Sequence, residues 1–471
     1  MQPRRLWRPR LLDHLIAESG SAVPLRPVTE EELASVLARL DETQRRWVEA
    51  TRFVGAPGKV ALLPDAAGRL ARVLVGMRTG EELWALAALP DGLPPGAYRL
   101  EGGMTAPAAT SFALGWALGC YAFTRYKPRD RGWADLVWPA EADRGLVARL
   151  ARGIALARDL INTPAEDMGP PELAAAATEL AARNGARCRV IVGDELLTEN
   201  YPTIHAVGRA AAKPPCLIDF VWGAESAPKV TLVGKGVCFD TGGLDLKPAG
   251  GMRMMKKDMG GAATLLGLAS AVMEAKLPLR LRVLVPAVEN AVSANAFRPL
   301  DIIKTRKGMT VEVGNTDAEG RLILCDALHE ACAEKPALLV DMATLTGAAR
   351  TALGPELPAL FANDDDLARD LLAAGTAEGD PLWRLPLWRP YRQMIVSPIA
   401  DLNNVSESSF AGAITAALYL DAFVTPGTPW AHIDTYAWNQ KSRPGRPEGG
   451  EALGLRALYA LIEKRFGRGS R

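Results

Sequence analysis

Residues 314–322 (GNTDAEGRL) place charged side chains at alternate positions: Asp317, Glu319 and Arg321. One interpretation is a capping box at the start of a helix, with Thr316 as the N-cap and Glu319 reaching back to it. In a helix, however, side chains two positions apart diverge by about 200°, whereas in an extended segment they share one face. An extended segment would present two carboxylates and a cation to one point, and the spacing leaves both interpretations open.

Other charged residues follow apolar runs of strand length. Residues 230–233 lead into a glycine-rich loop that carries Lys235, Asp240 and Lys247, and Asp258 directly precedes an apolar helical pattern. Ligands of open α/β sheets bind beyond the carboxyl ends of the strands. Charged residues in such loops, next to Gly-Gly pairs, favour a functional site over a structural role.

The motifs of two common site classes are missing from the sequence. No GxxxxGK[ST] or GxGxxG pattern follows a strand, so the glycine-rich loop does not predict nucleotide binding. The four histidines, at positions 14, 205, 329 and 432, form no HExxH motif. A histidine-based zinc hydrolase is therefore not expected.

The carboxylates instead favour a metal site with oxygen ligands. Asp240, Asp258, Asp317 and Glu319 would repel one another in one pocket and need compensating charge. Two divalent cations would balance their four negative charges. Two-metal sites, with the ions roughly 3.5–4 Å apart, suit hydrolysis because they activate a water and stabilise a developing oxyanion.

Four stretches taken together resemble one known family. VGKGVCFDTGGLDLKP, MKKDMGGAA, NTDAEGRL and DMATLTGA are similar, in order and in spacing, to the motifs of the leucyl aminopeptidases, also called cytosol aminopeptidases. The resemblance covers about residues 160 to 465. It implies a metalloexopeptidase that hydrolyses N-terminal amino acids from peptides with a free N-terminus.

The resemblance also assigns roles to individual residues. It implies that two metal ions are held by the amine of Lys235 and by the carboxylates of Asp240, Asp258, Asp317 and Glu319. It implies that Lys247 polarises the scissile carbonyl and that Arg321 holds a bicarbonate ion that acts as general base. It further implies a substrate site lined by Met255, Asn315, Thr344, Leu345 and Gly347.

These roles make chemical demands on the two lysines. An amine binds metal only when neutral, so we expect adjacent cations to lower the pKa of Lys235 well below its usual value of about 10.4. Lys247 must instead stay protonated to stabilise an oxyanion. The oxygen-rich ligand shell suits zinc, manganese or magnesium. The apolar side chains of Met255 and Leu345 predict a preference for hydrophobic, leucine-like first residues.

Two positions depart from the motifs of the family. Thr241 stands where many relatives have serine and keeps the hydroxyl, and Asp245 adds an acid two residues from Lys247. We expect little effect on metal ligation and some effect on pH dependence. Residues 403–415 are interpreted as a glycine-bearing loop that leads into a helix, and the sequence leaves open whether it borders the substrate site. His432 and Asp434 are interpreted as structural.

The remaining chain predicts an α/β fold. Apolar strand patterns at 188–193, 230–234, 281–288 and 337–344 alternate with helical patterns at 172–185, 261–275 and 322–334. Buried strands that alternate with helices predict a catalytic domain, residues 150–471, with a mixed, mostly parallel sheet flanked by helices. A smaller N-terminal α/β domain, residues 1–140, is implied by the resemblance. There we expect a helix at 29–50 and strands at 72–77 and 83–89.

Composition limits the expected partners and the cellular compartment of the protein. Lys and Arg total 55 against 54 Asp and Glu, so the net charge of +1 gives no general attraction to nucleic acid or membranes. No apolar run reaches the roughly 18 residues of a membrane span. The six cysteines form no CxxC pair, which is typical of reduced thiols in the cytoplasm. The resemblance implies a homohexamer. Two functions are alternatives to the aminopeptidase: another two-metal hydrolase, such as a phosphoesterase, and DNA binding.

Overall fold

The computed structural model describes residues 10–467. These residues form two compact units: one contains the described residues up to Ala155 together with Lys441–Glu448, and the other contains Leu156–Gln440 and the described residues from Gly449 onward. Helix α6, Arg144–Asn162, contains the boundary between them. None of the helices described here has both the length and the apolar character that crossing a membrane requires.

The smaller unit is built on a six-stranded mixed sheet with the order β1-β6-β5-β2-β4-β3. Its strands are β1 Leu15–Ile16, β2 Val23–Val28, β3 Val60–Pro64, β4 Leu70–Gly76, β5 Ala97–Leu100 and β6 Asp135–Val137. Its helices are α1 Leu33–Leu37, α2 Glu42–Ala50, α3 Glu82–Ala85, α4 Leu89–Gly92 and α5 Ala106–Gly119, with a 3-10 helix at Arg10–His14. Only β3 pairs antiparallel, with β4.

Two predictions for this unit were wrong. The single helix expected at 29–50 is two helices, because Asp41 accepts a hydrogen bond from the backbone nitrogen of Gln44 (2.8 Å) and starts α2 afresh. The strand expected at 83–89 is instead helical, since a short apolar run has the same composition in a buried helix as in a strand. The strand predicted at 72–77 is confirmed as β4.

The larger unit contains a nine-stranded sheet in which β16-β15-β18-β14-β9-β11-β8-β7 lie side by side and β10 pairs with β11. Its main strands are β7 Arg187–Val192, β8 Cys216–Trp222, β9 Lys229–Gly234, β10 Gly236–Asp240, β11 Arg280–Asn290, β14 Leu338–Ala343, β15 Ala359–Ala362, β16 Trp383–Arg384 and β18 Trp430–Asp434. Two small sheets contain β12 Ile302–Lys304, β13 Thr310–Glu312 and β17 Leu402–Asn403, and β19 Trp438–Asn439 and β20 Gly449–Gly450.

Helices flank the large sheet. They are α7 Pro170–Arg183, α8 Glu195–Thr198, α9 Pro202–Gly208, α10 Ala249–Met252, α11 Gly260–Glu274, α12 Glu319–Ala333, α13 Gly347–Leu353, α14 Asp365–Ala377, α15 Gly412–Asp421 and α16 Leu455–Phe466. Short 3-10 helices lie at Ala165–Asp167, Met255–Met259 and Arg389–Ile395. Every residue of α11 except Glu274 is buried, as expected of a helix that is apolar all round.

The pairing of the strands places their ends together. Strand β9 pairs parallel with β11 and β14, β14 with β18, and β10 with β11. The carboxyl ends of these five strands therefore meet at one edge of the sheet. The predicted α/β class, with a mostly parallel mixed sheet in the larger part and a smaller N-terminal domain, is confirmed.

Candidate metal centre and active site

The charged residues predicted from the sequence gather at this edge. Lys235 directly follows β9, Asp240 ends β10, and Thr344 directly follows β14. Asp258 lies in the 3-10 helix Met255–Met259 that leads into α11, and Glu319 is the first residue of α12. The sheet and two helix starts thus bring together residues that are far apart in the chain.

Three carboxylates form the centre of the site. One oxygen from each of Asp240, Asp317 and Glu319 lies within 4.8 Å of the other two. Lys235 links Glu319 to Asp258, because its Nζ lies 2.8 Å from Oε1 of the first and 2.8 Å from Oδ2 of the second. The five residues predicted as metal ligands therefore occupy one cluster.

Lys247 contacts the carboxylates of Asp240 and Asp317. Its Nζ is 2.8 Å from Oδ2 of Asp240 and also contacts Oδ1 of Asp317. Burial lowers the pKa of Lys247, but the two carboxylates raise the pKa by more than burial lowers it, so the net shift is upward. The ammonium form is therefore the one present at neutral pH.

The donor set fits divalent metal ions. Within the described part of the chain, no hydrogen bond reaches Oε2 of Glu319, although the side chain is buried. Oδ2 of Asp258 and Oε1 of Glu319 each face the Nζ of Lys235 at 2.8 Å, so Oε2 of Glu319 is the oxygen left without a donor. A buried carboxylate oxygen without a donor is costly, and a bound cation would satisfy it.

The acidity of the cluster supports the same conclusion. Burial, followed by the charge of Asp240, raises the pKa of Glu319 to about 8 and that of Asp317 to about 6. Burial also raises the pKa of Asp258. The protein alone thus drives these carboxyls toward their neutral forms, and positive charge at the cluster would keep them ionised.

Lys235 behaves differently in the protein alone from the expectation for a metal-bound amine. Burial lowers its pKa, but Asp258, Glu319 and Asp240 together raise it above the usual value. The side chain is therefore an ammonium in the absence of metal, and ligation through the amine requires the loss of a proton. Its Nζ also donates to the carbonyl oxygen of Thr344 (2.9 Å), which fixes one of its N–H bonds.

Neither interpretation of residues 314–322 was correct. Helix α12 begins at Glu319 with Ala318 as N-cap and no capping box, because the hydroxyl of Thr316 donates instead to the carbonyl of Gly242 (2.6 Å). The residues before Glu319 form a turn rather than an extended strand. Asp317 and Glu319 converge because the chain turns between them.

Two asparagines that the sequence reasoning did not assign hold this turn in place. Asn404 is fully buried; its Oδ1 accepts from the backbone nitrogens of Gly314 (2.8 Å) and Asn315 (3.2 Å). Asn290, at the end of β11, donates to Oδ1 of Asp240 (2.9 Å) and to the carbonyl of Thr316 (3.0 Å). The polar end of the apolar strand β11 was the available signal for Asn290, and Asn404 lies in the segment 403–415 that the sequence singled out.

Asp245 and Thr241, the two residues that depart from the family motifs, both form hydrogen bonds that connect separate segments. Oδ2 of Asp245 accepts from the backbone nitrogen of Thr316 (2.7 Å), and its own backbone nitrogen donates to the Thr316 hydroxyl (2.8 Å). The hydroxyl of Thr241 donates to the carbonyl of Asn290 (2.8 Å). Asp245 therefore joins the loop after β10 to the turn before α12.

Arg321 is buried next to the cluster. Its Nη1 donates to the carbonyl of Asn404 (2.6 Å), and its Nε has no hydrogen-bond partner among residues 10–467. Burial lowers its pKa from the usual value for arginine. A buried guanidinium with an unused donor is suited to hold a small anion.

The residues predicted to line the substrate site differ in their contacts: two of them hydrogen-bond to residues of the cluster, and the other three are partly or fully exposed. The hydroxyl of Thr344 donates to Oδ1 of Asp258 (2.7 Å), and Oδ1 of Asn315 accepts from the backbone nitrogen of Asp317 (2.6 Å). Met255 and Leu345 are partly exposed, and Gly347 is exposed at the start of α13.

Asp434 holds the segment after β14 in place through hydrogen bonds. Its Oδ1 accepts from the backbone nitrogens of Leu345 (2.9 Å) and Thr346 (3.3 Å), and its Oδ2 accepts from the Thr346 hydroxyl (2.6 Å). By contrast, Nδ1 of His432 lies 2.6 Å from Oδ1 of Asp341, inside the sheet.

Comparisons with known proteins agree with this geometry. Residues 155–459 match the family model described as the cytosol aminopeptidase family, catalytic domain, and residues 23–139 match the model described as the M17 aminopeptidase, N-terminal domain. A probable cytosol aminopeptidase of Roseiflexus castenholzii is 44% identical over 372 residues, which cover 75% of this chain and 76% of that protein.

Solved structures show the same similarity. The crystal structure of cytosol aminopeptidase from Coxiella burnetii has a TM-score of 0.93 and 49% identity, covering 96% of this chain and 100% of the other. The bottromycin maturation enzyme BotP in complex with Mn has a TM-score of 0.84 and 34% identity, covering 94% and 99%.

The fold and the acidic cluster define a metal-dependent hydrolase of the α/β class. The chain belongs to the cytosol aminopeptidase family, and it is a metal-dependent exopeptidase that acts on the N-termini of peptides.

Proposed function

We propose that the acidic cluster is the catalytic centre of this exopeptidase and that it holds two divalent metal ions. Five residues would bind them: Lys235, Asp240, Asp258, Asp317 and Glu319. The observation that carries this proposal is the convergence of Asp240, Asp317 and Glu319 within 4.8 Å, together with the buried Oε2 of Glu319, which has no hydrogen-bond donor among the described residues. When bound, the metal ions would supply an activated water and positive charge for the developing oxyanion.

The catalytic work of the chain itself falls to Lys247 and Arg321. The carboxylates of Asp240 and Asp317 keep Lys247 protonated, so it can donate a hydrogen bond to the oxygen of the scissile carbonyl as negative charge develops there. Arg321, with an unused donor in a buried position, would hold a bicarbonate ion that accepts the proton of the attacking water.

The identity of the metal follows from the ligand set. Four carboxylates and one amine suit zinc or manganese, and magnesium also binds oxygen ligands. A related enzyme, BotP, has been solved in complex with Mn. Manganese is accordingly the first metal to test.

The substrate would bind against Met255, Asn315, Thr344, Leu345 and Gly347. Met255 and Leu345 are the partly exposed apolar residues of this group, which supports a hydrophobic, leucine-like first residue. A free N-terminal amine can coordinate metal, whereas an internal peptide nitrogen is a poor ligand. This difference accounts for the removal of terminal residues only.

We also infer that the enzyme assembles into a homohexamer in the cytoplasm. The larger unit exposes large apolar side chains that a further subunit could cover: Leu300, Ile302, Trp383, Trp388, Ile399 and Phe410. All six cysteines are free thiols, which suits a reducing compartment. The division into an N-terminal domain, 1–140, and a catalytic domain, 150–471, is part of the same proposal, and light scattering after gel filtration would test the hexamer.

Chelation followed by the addition of single metals tests the catalytic centre. We expect hydrolysis of a leucyl anilide to stop after chelation and to return with manganese or zinc, while a phosphate ester stays uncleaved throughout. Glu319→Ala and Lys235→Ala should lose bound metal, whereas Arg321→Ala should keep the metal and lose rate. Full activity in a metal-free sample would refute the proposal.

A further inference from the structure

Two cations share one aromatic ring beside the candidate active site. Nζ of Lys257 lies 4.6 Å from the centre of the Tyr436 ring, and Cζ of Arg350 lies 5.1 Å from the same centre. Lys257 is only 5% exposed, whereas Tyr436 is half-buried and Arg350 is exposed. The pair of cations beside the Tyr436 ring is thus buried at Lys257 and open to solvent at Arg350.

Neither cation has a carboxylate partner. Across the described residues, no ion pair or side-chain hydrogen bond involves Lys257 or Arg350. Two like charges next to one ring repel each other. An anion that bound both would relieve this repulsion.

The acids whose charge reaches Lys257 already have other partners. They are Asp258 and Asp434. Asp258 lies 2.8 Å from Lys235 within the candidate metal cluster, and Asp434 accepts hydrogen bonds from the segment after β14. Neither forms an ion pair with Lys257.

The position of the pair next to the substrate residues suggests what the anion is. Lys257 lies between Met255 and Asp258 in one 3-10 helix, and Arg350 lies on α13, which begins at Gly347. Met255 and Gly347 are among the residues proposed to line the substrate site. The anion would therefore be part of the peptide itself.

We propose that Lys257 and Arg350 bind a carboxylate of the peptide substrate beside the ring of Tyr436. The carboxylate belongs either to an acidic side chain or to the C-terminus of a short peptide. This inference rests on the proposed function, because it names the substrate that the same site prefers.

Three matched substrate pairs test the inference on the manganese-loaded enzyme. Leu-Gly-Gly against its C-terminal amide tests the terminal carboxylate, Leu-Glu amide against Leu-Gln amide tests the second residue, and glutamyl against glutaminyl anilide tests the first. We expect one pair to show a kcat/KM preference for the acid of about 10-fold or more, as for one charge-assisted hydrogen bond. The preference should shrink as salt is added.

Substitutions then assign the preference to these residues. Lys257→Met and Arg350→Met should each reduce it severalfold, and the exposed Arg350 serves the test even if the buried substitution impairs folding. Arg369→Met is the matched control, because this arginine is exposed on α14 and pairs with Asp366.

Two outcomes would overturn the inference: equal kcat/KM for acid and amide in all three pairs, or a preference that persists in both variants. An enzyme that cleaves none of these compounds would contradict the proposed function itself. Cleavage of leucyl anilide without any preference for a carboxylate would contradict only this inference.

Discussion

A methyl group on Gly320 would lie 2.6 Å from Cε and 2.7 Å from Nζ of Lys235. Gly320 follows Glu319 in the first turn of α12, and Lys235 follows β9. The amine of Lys235 reaches Glu319 and Asp258 only because residue 320 has no side chain.

Gly320→Ala should therefore push the Lys235 amine away from the carboxylates. We expect the protein to fold and its metal affinity to fall by about 10–100-fold, the range seen when residues that orient metal ligands are changed. Calorimetric titration with manganese measures this. Gly92→Ala is the control, because nothing lies within 4 Å of a Cβ at Gly92. Equal metal affinity in the wild type and Gly320→Ala would contradict the prediction.

Asp434 should position the segment after β14 rather than stabilise the fold alone. Asp434→Ala leaves the half-buried backbone nitrogens of Leu345 and Thr346 without their acceptor, at a cost of at most about 1–3 kcal/mol for each. Because the same segment carries the Thr344 carbonyl that holds Lys235, we expect KM to rise and metal affinity to fall.

Asp434→Asn separates the positioning role from general destabilisation. The amide oxygen can still accept from both backbone nitrogens, so most of the activity should return. Steady-state kinetics with a urea melt for each variant would show this, and loss of stability without any change in KM would argue against positioning.

Asp245 should couple the loop after β10 to the turn before α12. Asp245→Ser removes the acceptor for the backbone nitrogen of Thr316, and we expect a loss of about 1–3 kcal/mol in stability with little change in metal binding. Asp366→Asn, at an exposed position on α14, is the control. Thermal melts with and without manganese measure both effects, and an unchanged melting temperature in Asp245→Ser would refute the coupling.

Asp326 should make stability fall as pH rises from about 4 to 6. Burial raises its pKa to about 6, although it accepts from the backbone nitrogens of Thr203 (3.0 Å) and Arg306 (2.7 Å). A carboxyl whose folded pKa lies above its unfolded value holds its proton more tightly in the folded state. Its contribution is therefore complete below the unfolded pKa, near 3.8, and is lost as pH rises through the folded pKa.

The size of this effect is on the order of 3 kcal/mol for a rise of about two pH units in pKa. Asp326→Asn cannot ionise, so its urea midpoint should change less between pH 4 and pH 6 than that of the wild type. The other carboxyls are common to both proteins and cancel in the difference. Parallel curves would show that Asp326 does not titrate as expected.

Apolar sequence patterns predicted secondary structure most reliably for segments that are completely buried. The strands at 230–234 and 281–288 were predicted because they are continuous apolar runs, and both lie in the core of the large sheet as β9 and β11. The pattern failed at 83–89 and 29–50, where a short apolar run and a local cap decide between alternatives of similar energy. The contacts of Asn290 and Asn404 could not be predicted from the sequence, because their partners come from distant segments.

The sequence by itself determined the α/β class, the apolar strands and which charged residues are available for metal chemistry, because side-chain type and periodicity are local properties. It did not determine how Asp317 and Glu319 face one point. Only the tertiary structure decided that, since Thr316 hydrogen-bonds to Gly242 and Asp245 from another loop rather than to its own helix. Contacts between distant segments outweighed the local capping preference, and they placed the carboxylates around one centre.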